Sequence, residues 1–381
     1  MKKYQLLLLL FFCIKIITAQ TPDLVPYLKA GLWGYSDRNK NIVITPKFKT
    51  VTLFKEKITP VTLDSSLIFI DVTGKQIGST YEGFGEFSEG LCQVKKNGLQ
   101  GYINASGKVI IPIKFKATNL FNEGFAVVRE DSLWGVIDKK GAYVIKPVYP
   151  SASNKFQGGF LHIQKKERNY LVDSKGKELK LPANAKLLDA FNEGLAVVEL
   201  FYLKNDPQIK TLTASTNFDT LKLHGFINNK GKIALGPFKE GYKILGAFSN
   251  GFCLLQTSSS LFYYVSKENK FSSYFSSARP FSQGYAIGQK GANALIKSYV
   301  IDSLFHLTKV ATLITDAGKF SDGLVWIKQV YGIKFGYMNT KGETVIEFKY
   351  DKAGDFTNGI AIVELNKVTF CIDKKGTQFR E

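Results

Sequence analysis

Residues able to carry chemistry are scarce in this chain. Its three histidines, His162, His224 and His306, lie far apart, and its four cysteines include no Cys-x-x-Cys pair. Beyond residue 20 only Cys92, Cys253 and Cys371 remain, an odd and sparse set that excludes a disulfide-stapled scaffold and gives a zinc cage no framework. There is no His-Glu-x-x-His, no Gly-x-Ser-x-Gly and no phosphate loop, so zinc-protease, serine-hydrolase and nucleotide-hydrolysing chemistry have no carrier. No catalytic, cofactor-binding or metal-ligating residue is therefore assigned, no cofactor is expected, and the chain reads as a non-enzyme whose binding residues the sequence does not name.

Long apolar runs are equally scarce. The one candidate, Leu6 to Ile17, is broken by Lys15 and falls short of the roughly 20 residues a bilayer-spanning helix needs. It follows Met1-Lys2-Lys3 and precedes Thr18-Ala19-Gln20, the pattern of a secretory signal peptide cut after Ala19. Phe11 and Phe12 before Cys13 argue against a lipoprotein. The expectation is a leader at 1–19, a short linker at 20–26, and a mature chain without a transmembrane anchor, exported to the periplasm, cell surface or beyond.

Negative charge is the third shortage, with 32 Asp and Glu against 51 Lys and Arg. Without Lys2, Lys3 and Lys15 the surplus is 48 over 32, which attracts acidic partners over long range. Export and the scatter of the lysines through many turns argue against nucleic acid. The partner expected is another protein, with an acidic glycan as the alternative.

What the chain does have is one unit copied many times. Residues 99–128 show it: an aromatic and β-branched run at Gly101 to Ile103, a turn Asn104-Ala-Ser-Gly107, an apolar run Val109 to Ile113, and a turn Phe121-Asn-Glu-Gly124 that launches Phe125 to Val128. The Phe-x-x-Gly turn recurs from Phe87, Phe121, Phe156, Phe191, Phe248, Phe281, Phe320 and Phe356, mostly 33 to 39 residues apart. Turns at Asp71–Gly74, Asp138–Gly141, Asp173–Gly176, Asn228–Gly231, Asn339–Gly342 and Asp373–Gly376 keep the same beat. Asx at the first position bonds the backbone two residues on, and Gly at the fourth supplies the left-handed conformation of a type I turn with a bulge. About ten hairpins result.

Gly31-Leu-Trp-Gly-Tyr-Ser-Asp, Ser132-Leu-Trp-Gly-Val-Ile-Asp and His224-Gly-Phe-Ile-Asn resemble the bacterial WG-repeat family, over roughly residues 27–381. Only Trp33 and Trp134 keep the tryptophan of that pair; Gln100, His224 and Phe335 replace it, and Tyr170 and Tyr263 fall near its glycine. The resemblance implies a β-rich repeat and little about activity. The fold expected is all-β, a tandem antiparallel hairpin array, open and elongated or superhelical, because units of three short strands are smaller than a propeller blade. A closed, propeller-like toroid is the alternative.

Three features invite a site. Leu200 to Leu223 is an insertion of about 22 residues, expected as a lengthened hairpin with a polar tip projecting from the array. The repeats at 271–313 have decayed most. Glu89, Glu123 and Glu193 recur in the Phe-x-Glu-Gly turn, and turn geometry explains them better than general-acid chemistry. Cys92 and Cys253 stand where Ala126 and Ala196 stand in other copies, which marks a buried small-residue slot.

Overall fold

The computed structural model describes residues 23–381 except 167, 204–205, 214–218, 293–294 and 331. The expected leader at 1–19 thus lies outside the described residues, as does part of the insertion tip. Among the described residues ten antiparallel sheets, called blades 1 to 10 here, succeed one another along the chain. They span 25–48, 50–81, 83–115, 117–149, 152–172, 185–235, 243–266, 277–309, 314–350 and 352–379.

Blade 4 shows the regular plan. Its strands are Ala117–Thr118, Phe125–Glu130, Leu133–Asp138 and Tyr143–Tyr149, hydrogen-bonded in that order. Between the first and second strands, Glu123 and Gly124 both take positive φ, and Asn122 and Phe125 exchange backbone hydrogen bonds of 2.8 and 3.1 Å. This is the tight hairpin whose two left-handed positions suit the right-handed twist of its strands. Between the third and fourth strands, Asp138 Oδ1 accepts from the amides of Lys140 and Ala142, both at 2.9 Å. Because Phe125 faces Asp138 in the register, both turns lie on one rim of the molecule.

Neighbouring blades bury their faces against each other. Val127, Val136, Ile145 and Tyr149 of blade 4 form one cluster with Phe156, Leu161, Ile163 and Val172 of blade 5, and similar clusters recur along the chain. Each blade therefore depends on the next for its core. The series also closes. Val25 and Tyr27 of blade 1 pack with Ile360, Cys371 and Phe379 of blade 10. Leu28 bridges Arg380 in parallel, the Glu381 amide donates to Leu28 O at 3.1 Å, and Lys29 pairs with Glu381 at 2.6 Å.

These contacts overturn the open, elongated or superhelical array and give the closed, propeller-like ring instead. The strand count explains the correction. A two-residue strand such as Ala117–Thr118 opens five of the ten units, so a four-stranded blade fits into a repeat of about 35 residues.

The glycine of the Trp-Gly pair has a specific task. A Cβ on Gly135 would lie 2.7 Å from Ile145 O and 2.8 Å from Pro147 N; on Gly101 it would lie 2.6 Å from Ile111 O, and on Gly336 2.6 Å from Ile346 O. The fourth strand bulges at this point in each blade, and only a missing side chain lets it pass so close. Tyr170, Tyr263 and Tyr299 hold the equivalent register in blades 5, 7 and 8, and Ile68 and Phe370 hold it in blades 2 and 10. Blade 2 keeps a fourth strand, Gln76–Tyr81, with one register shift where blades 3, 4 and 9 have two. Blades 5 and 7 have three strands, and the fourth strand of blade 8 is cut to Leu307–Lys309.

Candidate functional site

Two constructions could bear function: the rim of Phe-x-x-Gly turns and a cleft between blades 5 and 6. On the rim, each turn holds the next. Glu123 accepts from the amides of Gly158 at 2.7 Å and Gly159 at 2.8 Å, and Glu193 accepts from Asn250 at 2.6 Å and Gly251 at 2.9 Å. Glu89, Gln283 and Asp322 do the same to Gly124, Gly323 and Gly359. One residue earlier, Ser88 donates to Phe121 O, Asn122 to Phe156 O, Asn192 to Phe248 O and Ser321 to Phe356 O. At the closure Arg38 supplies the link, donating to Asn358 O and pairing with Asp23, both at 2.6 Å.

The recurrent glutamates are thus inter-blade clasps. Glu193 shows the electrostatics. Partial burial pushes its carboxyl up, but the amides of Gly251 and Asn250 and the ammonium of Lys267, 3.1 Å away, outweigh that and hold it below the ordinary carboxylate range. A carboxylate kept ionised and fully engaged is a poor general acid. The three histidines remain apart: His162 in blade 5, His224 against Tyr242 O in blade 6, and His306 on Asp302 in blade 8. Cys92, Cys253 and Cys371 are buried, and burial pushes each thiol up to about 12. Among the described residues no cluster of three His, Cys, Asp or Glu could hold a metal, and no helix is long and apolar enough to cross a membrane.

The insertion is a lengthened hairpin, with Leu195–Leu203 and Thr220–Asn228 paired through Leu203 and Thr220. Its base does not project as a polar arm. Leu200, Tyr202, Ile209, Leu221 and Leu223 are buried in a cluster with Leu171 of blade 5 and Leu187 of blade 6. A short 3-10 turn, Pro207–Ile209, capped by Asp206, drives Ile209 inward. Leu212 O accepts from the Glu240 amide at 2.8 Å, tying the insertion back to the blade.

Beside this cluster lies a cleft of about 850 Å³. Its near wall is the third strand of blade 5, with Arg168, Asn169 and Tyr170; its far wall is Ala185 to Leu187 and Phe201 of blade 6. Lys166, Arg168, Lys180 and Lys186 line it, and among the described residues none of the four is in an ion pair. The one acidic lining residue in the described set, Glu178, is taken by Lys165 at 2.9 Å. Tyr170 and Phe201 add aromatic surface, with Lys165 Nζ 5.6 Å from the Tyr170 ring and Lys222 Nζ 5.9 Å from that of Phe201.

The cleft exists because blade 5 has lost its fourth strand. After the turn at Asp173, Leu179 N still bonds Leu171 O at 2.8 Å. The chain then leaves through Leu181-Pro182 toward blade 6. Tyr170 stands where the regular blades have glycine and so excludes their tight double-shift bulge, while blade 2 seats its fourth strand beside Ile68 at a different register. Sequence reasoning noted Tyr170 as a departure from the motif but placed no site there. The usable signal was that departure together with the basic run Lys165, Lys166 and Arg168. The decayed stretch at 271–313 has a different outcome: Phe275 exchanges backbone bonds of 2.9 Å with Phe262 and so covers the edge of blade 7.

Comparison with known proteins follows this division. The WG containing repeat matches residues 33–65, 69–99, 101–134, 134–167 and 335–368; the matched stretches leave out 168–334, the arc that holds the cleft. No curated protein matches the chain. Solved structures of similar shape include one titled as the crystal structure of the eukaryotic initiation factor, with TM-score 0.48, 10% identity, and coverage of 93% of this chain and 94% of that one. Another is BamB from Moraxella catarrhalis, with TM-score 0.32, 9% identity, and coverage of 84% and 95%. At these scores neither carries a functional argument.

Proposed function

The chain belongs to the WG containing repeat family, and on that premise we propose that it is an exported, non-enzymatic scaffold that binds another protein through the cleft between blades 5 and 6. The observation that carries this reading is the coincidence, at one place, of a broken repeat, an open cleft and four cations without ion partners among the described residues. Export rests on the amino-terminal pattern of Lys2, Lys3 and the apolar run to Ile17. A second reading, an acidic glycan in the same cleft, draws on Tyr170 and Phe201, whose rings can stack on sugars beside cations.

Site-specific photo-crosslinking tests the first reading. A benzoylphenylalanine at Phe201 should capture one discrete protein from the native envelope fraction, whereas the same probe at Val148, exposed on the outer strand of regular blade 4, should capture none. Equal capture at both positions, or salt-sensitive retention on anionic polysaccharide with no protein adduct, would reject it.

A further inference from the structure

The outer edge of blade 5 is open in a way its regular neighbours are not. In blade 4, Trp134 pairs with Tyr149 of the fourth strand. The equivalent residues find a covering strand in blade 1 (Trp33 with Phe48), blade 3 (Gln100 with Phe115) and blade 9 (Phe335 with Tyr350). In blade 7 Phe275 covers Phe262, and in blade 8 the Val310 amide reaches Ser298 O at 2.9 Å. Asn169 holds this register position in blade 5 and pairs only inward, with Gln164. Among the described residues its outward backbone groups meet no strand, and its side chain reaches across to Leu187 O at 3.3 Å. An unpaired edge of this kind is a template for another chain.

We propose that this edge takes an extended, acidic segment of the partner protein beside Asn169, continuing the fourth strand that Glu178 and Leu179 begin against Val172 and Leu171. The idea rests on the binding-scaffold reading and adds the mode and chemistry of recognition. Strand addition supplies backbone hydrogen bonds, and the flanking side chains choose the sequence. Here the choice is set by charge. Lys166 and Arg168 flank one end of the edge, Lys180 and Lys186 stand across the cleft, and Lys165 occupies Glu178. Among the described residues these five cations outnumber Glu178, the one acidic lining residue. A segment alternating acidic and apolar residues would turn its carboxylates toward the face of the edge strand that carries Arg168 and its apolar side chains toward the opposite face, which carries Asn169 and the buried Leu171, as strand alternation requires. The open part is the Arg168–Asn169 end of the edge, because Leu179 N already bonds Leu171 O at 2.8 Å and Glu178 bridges Val172.

The test uses the full chain and fluorescein-labelled heptapeptides, read by anisotropy. A peptide alternating Glu and Val should bind, more weakly as salt rises. A version N-methylated at alternate amides keeps its charge but cannot add to an edge, and should lose at least about tenfold in affinity. A Lys and Val peptide should not bind. On the protein side, Lys180→Glu with Lys186→Glu should lose a similar factor. Asn169→Pro should abolish the N-methylation effect, because it removes the outward amide at an edge position where proline is tolerated. Equal binding of the methylated and unmethylated peptides would overturn strand addition in favour of charge attraction alone. No binding of the Glu and Val peptide, with a crosslinked partner still captured at Phe201, would overturn it while leaving the scaffold reading in place.

Discussion

Blades 4 and 5 are adjacent, share one hydrophobic cluster and carry the same rim turns, yet one is finished and the other is open. Blade 4 has glycine at 135, and the bulged strand Tyr143–Tyr149 crosses directly over it. Blade 5 has Tyr170 at that register, three strands, and a cleft where the fourth would run. The rim is indifferent to this change: Glu123 of blade 4 clasps Gly158 and Gly159 of blade 5 as Glu193 of blade 6 clasps Asn250 and Gly251 of blade 7. Two jobs are thereby separated within one repeat. The turns build the ring, and the outer edge is free to specialise.

The largest effect should come from forcing the open pattern onto the closed blade. Gly135→Val places a side chain against Ile145 O and Pro147 N and should cost about 3 kcal/mol through overpacking, seen as a lowered denaturation midpoint. A variant as stable as the parent would show that the glycine does not govern the bulge. Next comes Ile209→Ala in the insertion. With Ile209 1% exposed inside the cluster shared by blades 5 and 6, the loss should be about 2 kcal/mol, whereas a freely projecting arm would tolerate the change without measurable loss. Glu123→Ala removes the acceptor of two amides and should cost about 1 kcal/mol, with faster amide exchange at Gly158 and Gly159 as its local signature.

The smallest effect is a pH dependence. Glu193 has its carboxyl lowered from an ordinary value of 4.5, so its contribution is complete above that value and is lost as pH falls through the lower folded-state value. The stability advantage of the parent over Glu193→Gln should therefore hold near neutrality and shrink as the pH drops below 4.5. An advantage independent of pH would mean that the clasp does not depend on charge.

Much of this fold was legible in the residues. The Phe and Asx turns marked the repeat and its count because their chemistry is local: Asp138 bonds its own turn, and Gly124 and Gly141 supply left-handed backbone wherever they stand. Closure was not legible, since it depends on Val25 and Tyr27 meeting Phe379 across the whole chain and on two-residue strands that leave no hydrophobic pattern. The glutamates of the rim were assigned to turn geometry, which is half of their role; the partner amides lie in the next blade, 35 residues on for Glu123 and Gly158. The cleft was visible only as a departure, Tyr170 in place of glycine. Whether such a departure opens an edge depends on the register of the following strand, since blade 2 seats one beside Ile68, and that register is not written in a single repeat.

Amide hydrogen exchange at Trp134 and Asn169 tests the central contrast most directly, because the two residues hold the same register position in neighbouring blades. With its pairing to Tyr149, Trp134 should be strongly protected, while Asn169 should exchange at close to the rate of an unbonded amide and become protected when the Glu and Val peptide is added. Equal protection of the two in the free protein would contradict the account, since the edge of blade 5 would then already be covered.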